Sequence, residues 1–295
     1  HFFRTHVLSG SFPLWNPHMY SGHPFAANPA NFVFYPPIAI YVLFPLNWAF
    51  DIDLVVHLLA GWLGMCVLVR RMTGSMPAAL VAALVYSFNG QIMERIYGGH
   101  LTFIHSAAVI PWVFVAMERV FEEDRPSLFG LAGAALGLLI LTGNTQAIFY
   151  VTVMVCLYLP VRYVSRFGFA NPRRFVAYCL WFLLVPAVSF GVSAVFLLPV
   201  AEFISLSDRA QKTFEFAVNG SFGWPLFYTL LVPQPEAGKI QTFWELGAYC
   251  SILALSLSGI GVLFFRLRQK VWVQVIMLLV SMTFVLGGYT PLYKF

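Results

Sequence analysis

Eight apolar runs, each close to the length a helix needs to cross a bilayer, recur along this 295-residue chain and leave it few other ways to fold. Hydrocarbon offers no partner to a backbone N–H or C=O, so a crossing segment must satisfy both internally, and a helix does so over about 20 predominantly apolar residues. The runs cover 53–69, 75–88, 101–117, 128–141, 147–164, 175–200, 247–265 and 271–286. Those at 75–88 and 128–141 are short and are expected to tilt little or to pack inside the bundle. Composition agrees: 60% of residues are apolar, 10% are charged and mean hydropathy is +0.78. A soluble domain carries about 25% charged residues. The expected fold is an all-α integral membrane protein, a multi-pass helical bundle of about eight spans over 53–295, preceded by a large proline-rich outer loop, 1–52.

The basic residues orient the bundle, because cytoplasmic loops hold the excess of Lys and Arg. Placing alternate loops on opposite sides assigns Arg70, Arg71, Arg119, Arg125, Arg162, Arg166, Arg173, Arg174, Arg266, Arg268 and Lys270 to one face, 11 of the 17. The other face holds Arg4, Arg95, Arg209, Lys212, Lys239 and Lys294, spread over much longer segments. The first face is therefore expected to be cytoplasmic, and the long segments 1–52, 89–100 and 201–246 to be outer loops. All seven histidines follow the outer side: His1, His6, His18, His23 and His100 in loops, His57 and His105 near the outer ends of their helices. Short inner loops and elaborate outer ones put any site outside. The expected location is a membrane, with any active face on the extracytoplasmic side. The chain starts at His1 and stops at Phe295 just after an apolar run, and both ends are read as cut.

The densest stretch is Pro13-Leu14-Trp15-Asn16-Pro17, then Ser21-Gly22-His23-Pro24-Phe25, Asn28 and Phe34-Tyr35-Pro36-Pro37. Prolines at 13, 17, 24, 29, 36 and 37 forbid a long helix, so an ordered loop is expected, with rings suited to the headgroup layer. The run 38–50, interrupted by Pro45, is too short to cross and is expected to lie in the interface or re-enter. This loop either seals the bundle or binds a sugar or lipid headgroup, with Trp15 stacking and Asn16, His23 and Asn28 hydrogen-bonding. Arg95 and His100, in the second outer loop, are candidates for holding a phosphate. Asn144 and Gln146 sit at an outer turn, and Glu202 and Glu245 at span mouths, where a carboxylate is costly unless paired, wet or used.

Several classes are excluded. There is no GxGxxG after a strand, no GxxxxGK[ST] and no HExxH, and the short inner loops leave little room for a nucleotide-sugar donor. No nucleic-acid partner is expected. Cys66, Cys156, Cys179 and Cys250 lie in or beside apolar runs without CxxC spacing, which suits packing thiols. No ligand spacing points to a metal, so no cofactor is assigned and a divalent metal stays open.

The run PLWNPHMYSGHPFAANPANFVFYPP, the Gly-Gly-His loop, GNTQAIFY and WELGAYCSILAL together resemble the bacterial YfhO family of multi-pass membrane proteins, itself similar to the glycosyltransferase C superfamily. The resemblance runs in pieces from about residue 10 to residue 258. It implies a transferase that moves a sugar from a polyprenyl-phosphate-linked donor to a cell-envelope glycan or glycolipid on the outer face of the lipid bilayer. It also implies a catalytic Asp in the first outer loop; no Asp precedes Asp51, so that residue is expected upstream of His1. Within this reading Arg95 and His100 take the phosphate side, Trp15, Asn16, His23, Asn28, Tyr35, Asn144 and Gln146 the sugar or the loop architecture, and Glu202 and Glu245 are the candidate carboxylates. A transporter or lipid flippase is the rival, against which stands the scarcity of mid-span charge. A non-catalytic scaffold is the third possibility.

Overall fold

The computed structural model describes residues 1–169, 171–207, 224–231, 249–265, 269–286 and 289. Its first 45 residues hold a short helix α1 (Phe2–Leu8), a two-residue hairpin β1 (Trp15–Asn16) and β2 (His23–Pro24), two 3-10 turns (Pro29–Asn31 and Pro36–Ala39) and α2 (Ile40–Leu43). Trp15 pairs with Pro24 and Asn16 with His23. The hairpin closes because the Asn16 side-chain oxygen accepts from the His18 N–H at 2.9 Å, and Gly22, at φ +104°, leaves room for the Trp15 ring; a Cβ there would lie 2.8 Å from it. The loop is ordered, as its prolines and turn residues predict.

The bundle follows: α3 (Leu46–Thr73), α4 (Met76–Ser87), α5 (Gly90–Tyr97), α6 (Leu101–Glu122), α7 (Phe129–Leu141), α8 (Thr145–Phe167), α9 (Pro172–Phe182), α10 (Leu184–Ser205), α11 (Ile252–Phe265) and α12 (Gln269–Val285). Five helical stretches are long and apolar enough to cross a membrane: Leu46–Thr73, Met76–Tyr97, Leu101–Glu122, Thr145–Phe167 and Pro172–Ser205. Pro126–Leu141, Ile252–Phe264 and Val271–Phe284 are shorter apolar helices.

Several boundaries differ from the sequence reading, and three bear on how the bundle is built. Pro45 begins α3 rather than interrupting a run, since a proline at a helix start gives up an N–H that has no partner there anyway, and residues 46–52 join the helix. The segment 89–100 is mostly helical: Asn89 caps α5 by accepting from the Ile92 N–H at 2.9 Å, and α5 extends α4 to spanning length. Third, α6 continues past Met117 to Glu122.

The core gathers around α6, whose most apolar stretch is 67% buried against 33% or less for the other four long helices. It runs parallel to α3: Asp53 meets His105 at one end, and Arg71 meets Glu122 at 2.8 Å at the other. Between them Trp112 Nε1 donates to the Ala60 carbonyl at 3.0 Å, and Gly64 makes way for that ring, a Cβ there lying 2.8 Å from Nε1. Short α7 is packed inside as expected, with Phe129, Ala132, Leu136, Leu139, Ile140 and Leu141 buried. Its Gly133 and Gly137 face α10 so closely that a Cβ would lie 2.8 Å from the Val185 carbonyl oxygen and 2.7 Å from Val192 Cβ. Two glycines four apart, facing a second helix at backbone distance, are how helices in lipid gain contact when no hydrophobic drive separates them from solvent.

The ends of the bundle differ. One carries four arginines paired with acids: Arg71 with Glu122, Arg119 with Glu123, Arg174 with Asp124, and Arg162 with Glu118. Arg162, assigned from sequence to a cytoplasmic loop, is buried in α8, and Glu118 meets both its Nε and its Nη2 while also accepting from the Tyr158 hydroxyl. The opposite end carries His57, His105 and the folded segment 1–45.

Candidate functional site

At the histidine end, helical geometry places Asp53 and His57, four residues apart, on one face of α3, and the parallel path of α6 brings His105 against them. Asp53 Oδ2 accepts from His105 Nε2 at 2.8 Å and from the Tyr41 hydroxyl at 3.0 Å. His57 Nδ1 donates to the Asp53 backbone carbonyl at 2.7 Å and lies 3.1 Å from Asp53 Oδ1. Its Nε2 is 3.0 Å from the Tyr35 hydroxyl. With Nδ1–H committed to the backbone, neutral His57 presents an Nε2 lone pair, and Tyr35 is the donor. Asp53, His57 and His105 are 1%, 3% and 1% exposed.

The rings stack as a unit. His57 and His105 have centroids 4.2 Å apart, Tyr35 lies over His105 at 5.1 Å, and Phe32 meets His105 edge-on at 4.7 Å. Phe32 holds φ +38° and ψ +35°, a left-handed backbone that costs a non-glycine residue about 1–2 kcal/mol, so the packing of its ring must outweigh that strain. Burial first, and the Asp53 charge second, push both the Tyr35 and Tyr41 phenols above their ordinary range, which keeps them protonated as donors. Two buried atoms in this group have no hydrogen-bond partner: Asp53 Oδ1 and His105 Nδ1.

The segment 1–45 is fastened here and at one more place. Gly143, at φ +79° in the turn between α7 and α8, abuts Pro29 so closely that a Cβ would fall 1.9 Å from its carbonyl oxygen. Beneath that turn the Ser106 and Thr142 hydroxyls share a buried hydrogen bond of 2.7 Å.

Among the candidate sugar, phosphate and carboxylate residues, Tyr35 hydrogen-bonds into the Asp53 centre through His57. Trp15 is 56% exposed against Gly22. The amide oxygens of Asn16, Asn28 and Asn144 accept from the backbone N–H groups of His18, Ala30 and Ala147, so they shape turns and cap helices. His23 is half-buried between Tyr20 and Phe25, and Gln146 is exposed in the first turn of α8. Arg95 lies on α5 with its guanidinium 4.8 Å from the centre of the Phe103 ring. The His100 N–H donates to the Arg95 carbonyl at 2.9 Å, so these two stay neighbours. Glu202 is exposed in the last turn of α10, and Glu245 lies outside the described residues. The start of α5 is tied to the segment after Glu245, the Gly90 N–H donating to the Tyr249 carbonyl at 2.8 Å.

Asp53 is the residue the sequence reading missed as a site candidate. The signal was an acid and a histidine four apart at the mouth of an apolar run, with a second histidine at the same depth two spans later. Neither the pair nor the lone His105 is informative until the helices are known to run side by side. No protein-family model matches the chain, and no curated protein or solved structure matches it either.

Proposed function

We propose that this chain is the membrane bundle of a glycosyltransferase, of the glycosyltransferase C kind and with eight spans, which moves a sugar from a polyprenyl-phosphate donor to a cell-envelope acceptor on the outer face. The observation that carries the reading is the difference between the ends of the bundle. At the histidine end an aromatic and amide-rich segment folds into a fastened layer, whereas the arginine end is closed by ion pairs and short turns. The motifs that carry the resemblance to YfhO-type proteins lie at the histidine end: the PLWNP hairpin, the Gly-Gly-His turn after α5, the GNTQ turn before α8, and Tyr249 against Gly90.

In this reading the reaction is displacement at the anomeric carbon, an acceptor hydroxyl losing its proton to a carboxylate while cationic groups stabilise the departing phosphate. Arg95 and His100 supply the phosphate side, and Trp15 an exposed ring for a sugar face. Glu202 and Glu245 remain the candidate carboxylates. Asp53, His57 and His105 are too enclosed to touch a substrate and instead position the layer through Tyr35 and Tyr41.

The test is transfer in membranes containing the full-length protein. Sugar should move from a polyprenyl-phosphate donor to an external acceptor, and a purified protein that turns over only a nucleotide sugar rejects the proposal. Removing a charge-assisted hydrogen bond costs about 1.5–3 kcal/mol, so Arg95→Ala should lower donor use roughly tenfold to a hundredfold. Arg95→Lys should retain part of it, and normal donor use in Arg95→Ala takes Arg95 out of the site.

A further inference from the structure

We propose that Asp53, His57 and His105 form a binding site for one divalent transition-metal ion of the zinc type, which clamps the first 45 residues to the bundle. The inference stands apart from the transferase reading, since it concerns what holds the layer and not what reacts on it.

Three observations point to a cation. First, ligand atoms from the three side chains can be chosen that all lie within 4.8 Å of one another. The Asp53 carboxylate already stands 2.8 Å from His105 Nε2. Tetrahedral zinc with bonds of about 2.0–2.1 Å needs ligands about 3.3 Å apart, so small rotations of side chains open the space. Second, Asp53 is 1% exposed, and among the described residues no lysine or arginine forms an ion pair with it. A buried carboxylate surrounded by imidazoles and phenols has no permanently charged partner to compensate it. Third, Asp53 Oδ1 is buried without a hydrogen-bond partner, which leaves a carboxylate lone pair available inside the cluster.

The chemistry of the set selects the ion. Two imidazoles and one carboxylate suit zinc and its neighbours rather than magnesium or calcium, which take mostly oxygen ligands. The surroundings supply the outer support that metal-binding histidines have elsewhere. His57 Nδ1 is held by the Asp53 carbonyl, which would leave Nε2 as its ligand atom, and Tyr41 bonds the carboxylate. A tyrosine oxygen stands next to two of the three side chains, Tyr35 beside His57 and Tyr41 beside Asp53, and either would complete a four-coordinate site by releasing its hydroxyl proton to solvent as the ion binds. Both tyrosines belong to the first 45 residues, so the ion would join that segment to α3 and α6.

The experiment uses the full-length protein purified in detergent, stripped with a chelator and titrated with Co2+, whose visible bands report tetrahedral coordination. Wild type should take up about one equivalent with intense bands, and Zn2+ should displace it. Asp53→Asn, nearly isosteric, and His105→Ala should each weaken uptake by about a hundredfold or abolish it, while His23→Ala, at the same end but outside the cluster, should bind like wild type. Zn2+ should also slow proteolysis within residues 9–14 in wild type and leave the rate unchanged in Asp53→Asn. Folded wild-type protein that binds no Co2+ overturns the proposal whatever the variants do, and identifies the cluster as a proton-bridged network. Uptake that persists in both Asp53→Asn and His105→Ala overturns it as well.

Discussion

Glu118 and Arg162 face each other deep in the bundle, 0% and 5% exposed, with two hydrogen bonds between them and a third from Tyr158 to the carboxylate. An ion pair in such a place is weak evidence of net stabilisation, because desolvating both charges offsets most of their attraction. Breaking it from one side is different, since the remaining charge is stranded. Arg162→Met should therefore lower unfolding stability by about 3–5 kcal/mol, and adding Glu118→Leu should recover most of the loss. Thermal melting in detergent decides: a double variant no more stable than Arg162→Met alone would show that packing, not charge, sets the cost. The same logic separates this pair from Arg119 and Glu123, an exposed pair four residues apart at the end of α6. Removing that one should leave the melting temperature almost unchanged.

At the scale of elements, α7 and α10 depend on the absence of side chains at Gly133 and Gly137. Gly133→Val or Gly137→Val would drive methyl groups into the α10 backbone or Val192, and overpacking of this kind costs about 1–3 kcal/mol or more. Gly130 lies on the same helix, and a methyl group there would meet nothing within 4 Å, so Gly130→Ala should be neutral or stabilising by up to about 1 kcal/mol through helix propensity. Melting of the three variants side by side tests the close approach, and equal shifts in all three would refute it. The docking of the first segment has its own sensitive point. Gly143→Ala meets both an unfavourable φ and a carbonyl oxygen at 1.9 Å, so residues 28–32 must lift from the bundle. Faster proteolysis of the segment 9–14 with an intact helical core is the expected outcome; unchanged cleavage would mean that the turn adjusts without moving the loop.

For the whole molecule, parallel α3 and α6 carry the Asp53–His105 contact at one end and the Arg71–Glu122 pair at the other, and the end with the paired arginines should face the cytoplasm. In a protein with its four cysteines replaced by serine, Gln146→Cys should react with a membrane-impermeant thiol reagent from outside, and Arg173→Cys should not. Both positions are exposed at helix starts, Gln146 in α8 and Arg173 in α9. The opposite labelling pattern would invert the bundle and remove the outer-face transferase proposal with it.

The class of fold was legible in the chain because burial in lipid is a property of each segment alone: about 20 apolar residues bond their own backbone wherever they sit. Each expected run has a helical counterpart, and the prolines and turn residues before Pro45 do break that segment into short pieces. Boundaries moved where a local rule was stronger than hydropathy, as when Asn89 capped a helix within a stretch read as loop and Pro45 opened one. Position along the spans was legible too, in that His57 and His105 were placed near the same surface. What the sequence by itself could not decide is which helices touch. Whether Asp53 meets one histidine or two, whether Arg162 is a loop cation or half of a buried pair, and whether Gly133 and Gly137 face lipid or α10 all depend on contacts between segments 44 or more residues apart for the charges. Those contacts come from packing of small residues and a few hydrogen bonds, which leave almost no trace in a single segment's composition. Hydropathy determined which segments are long and apolar enough to cross a membrane; only the tertiary structure decided that an acid, two imidazoles and two phenols share one enclosed site.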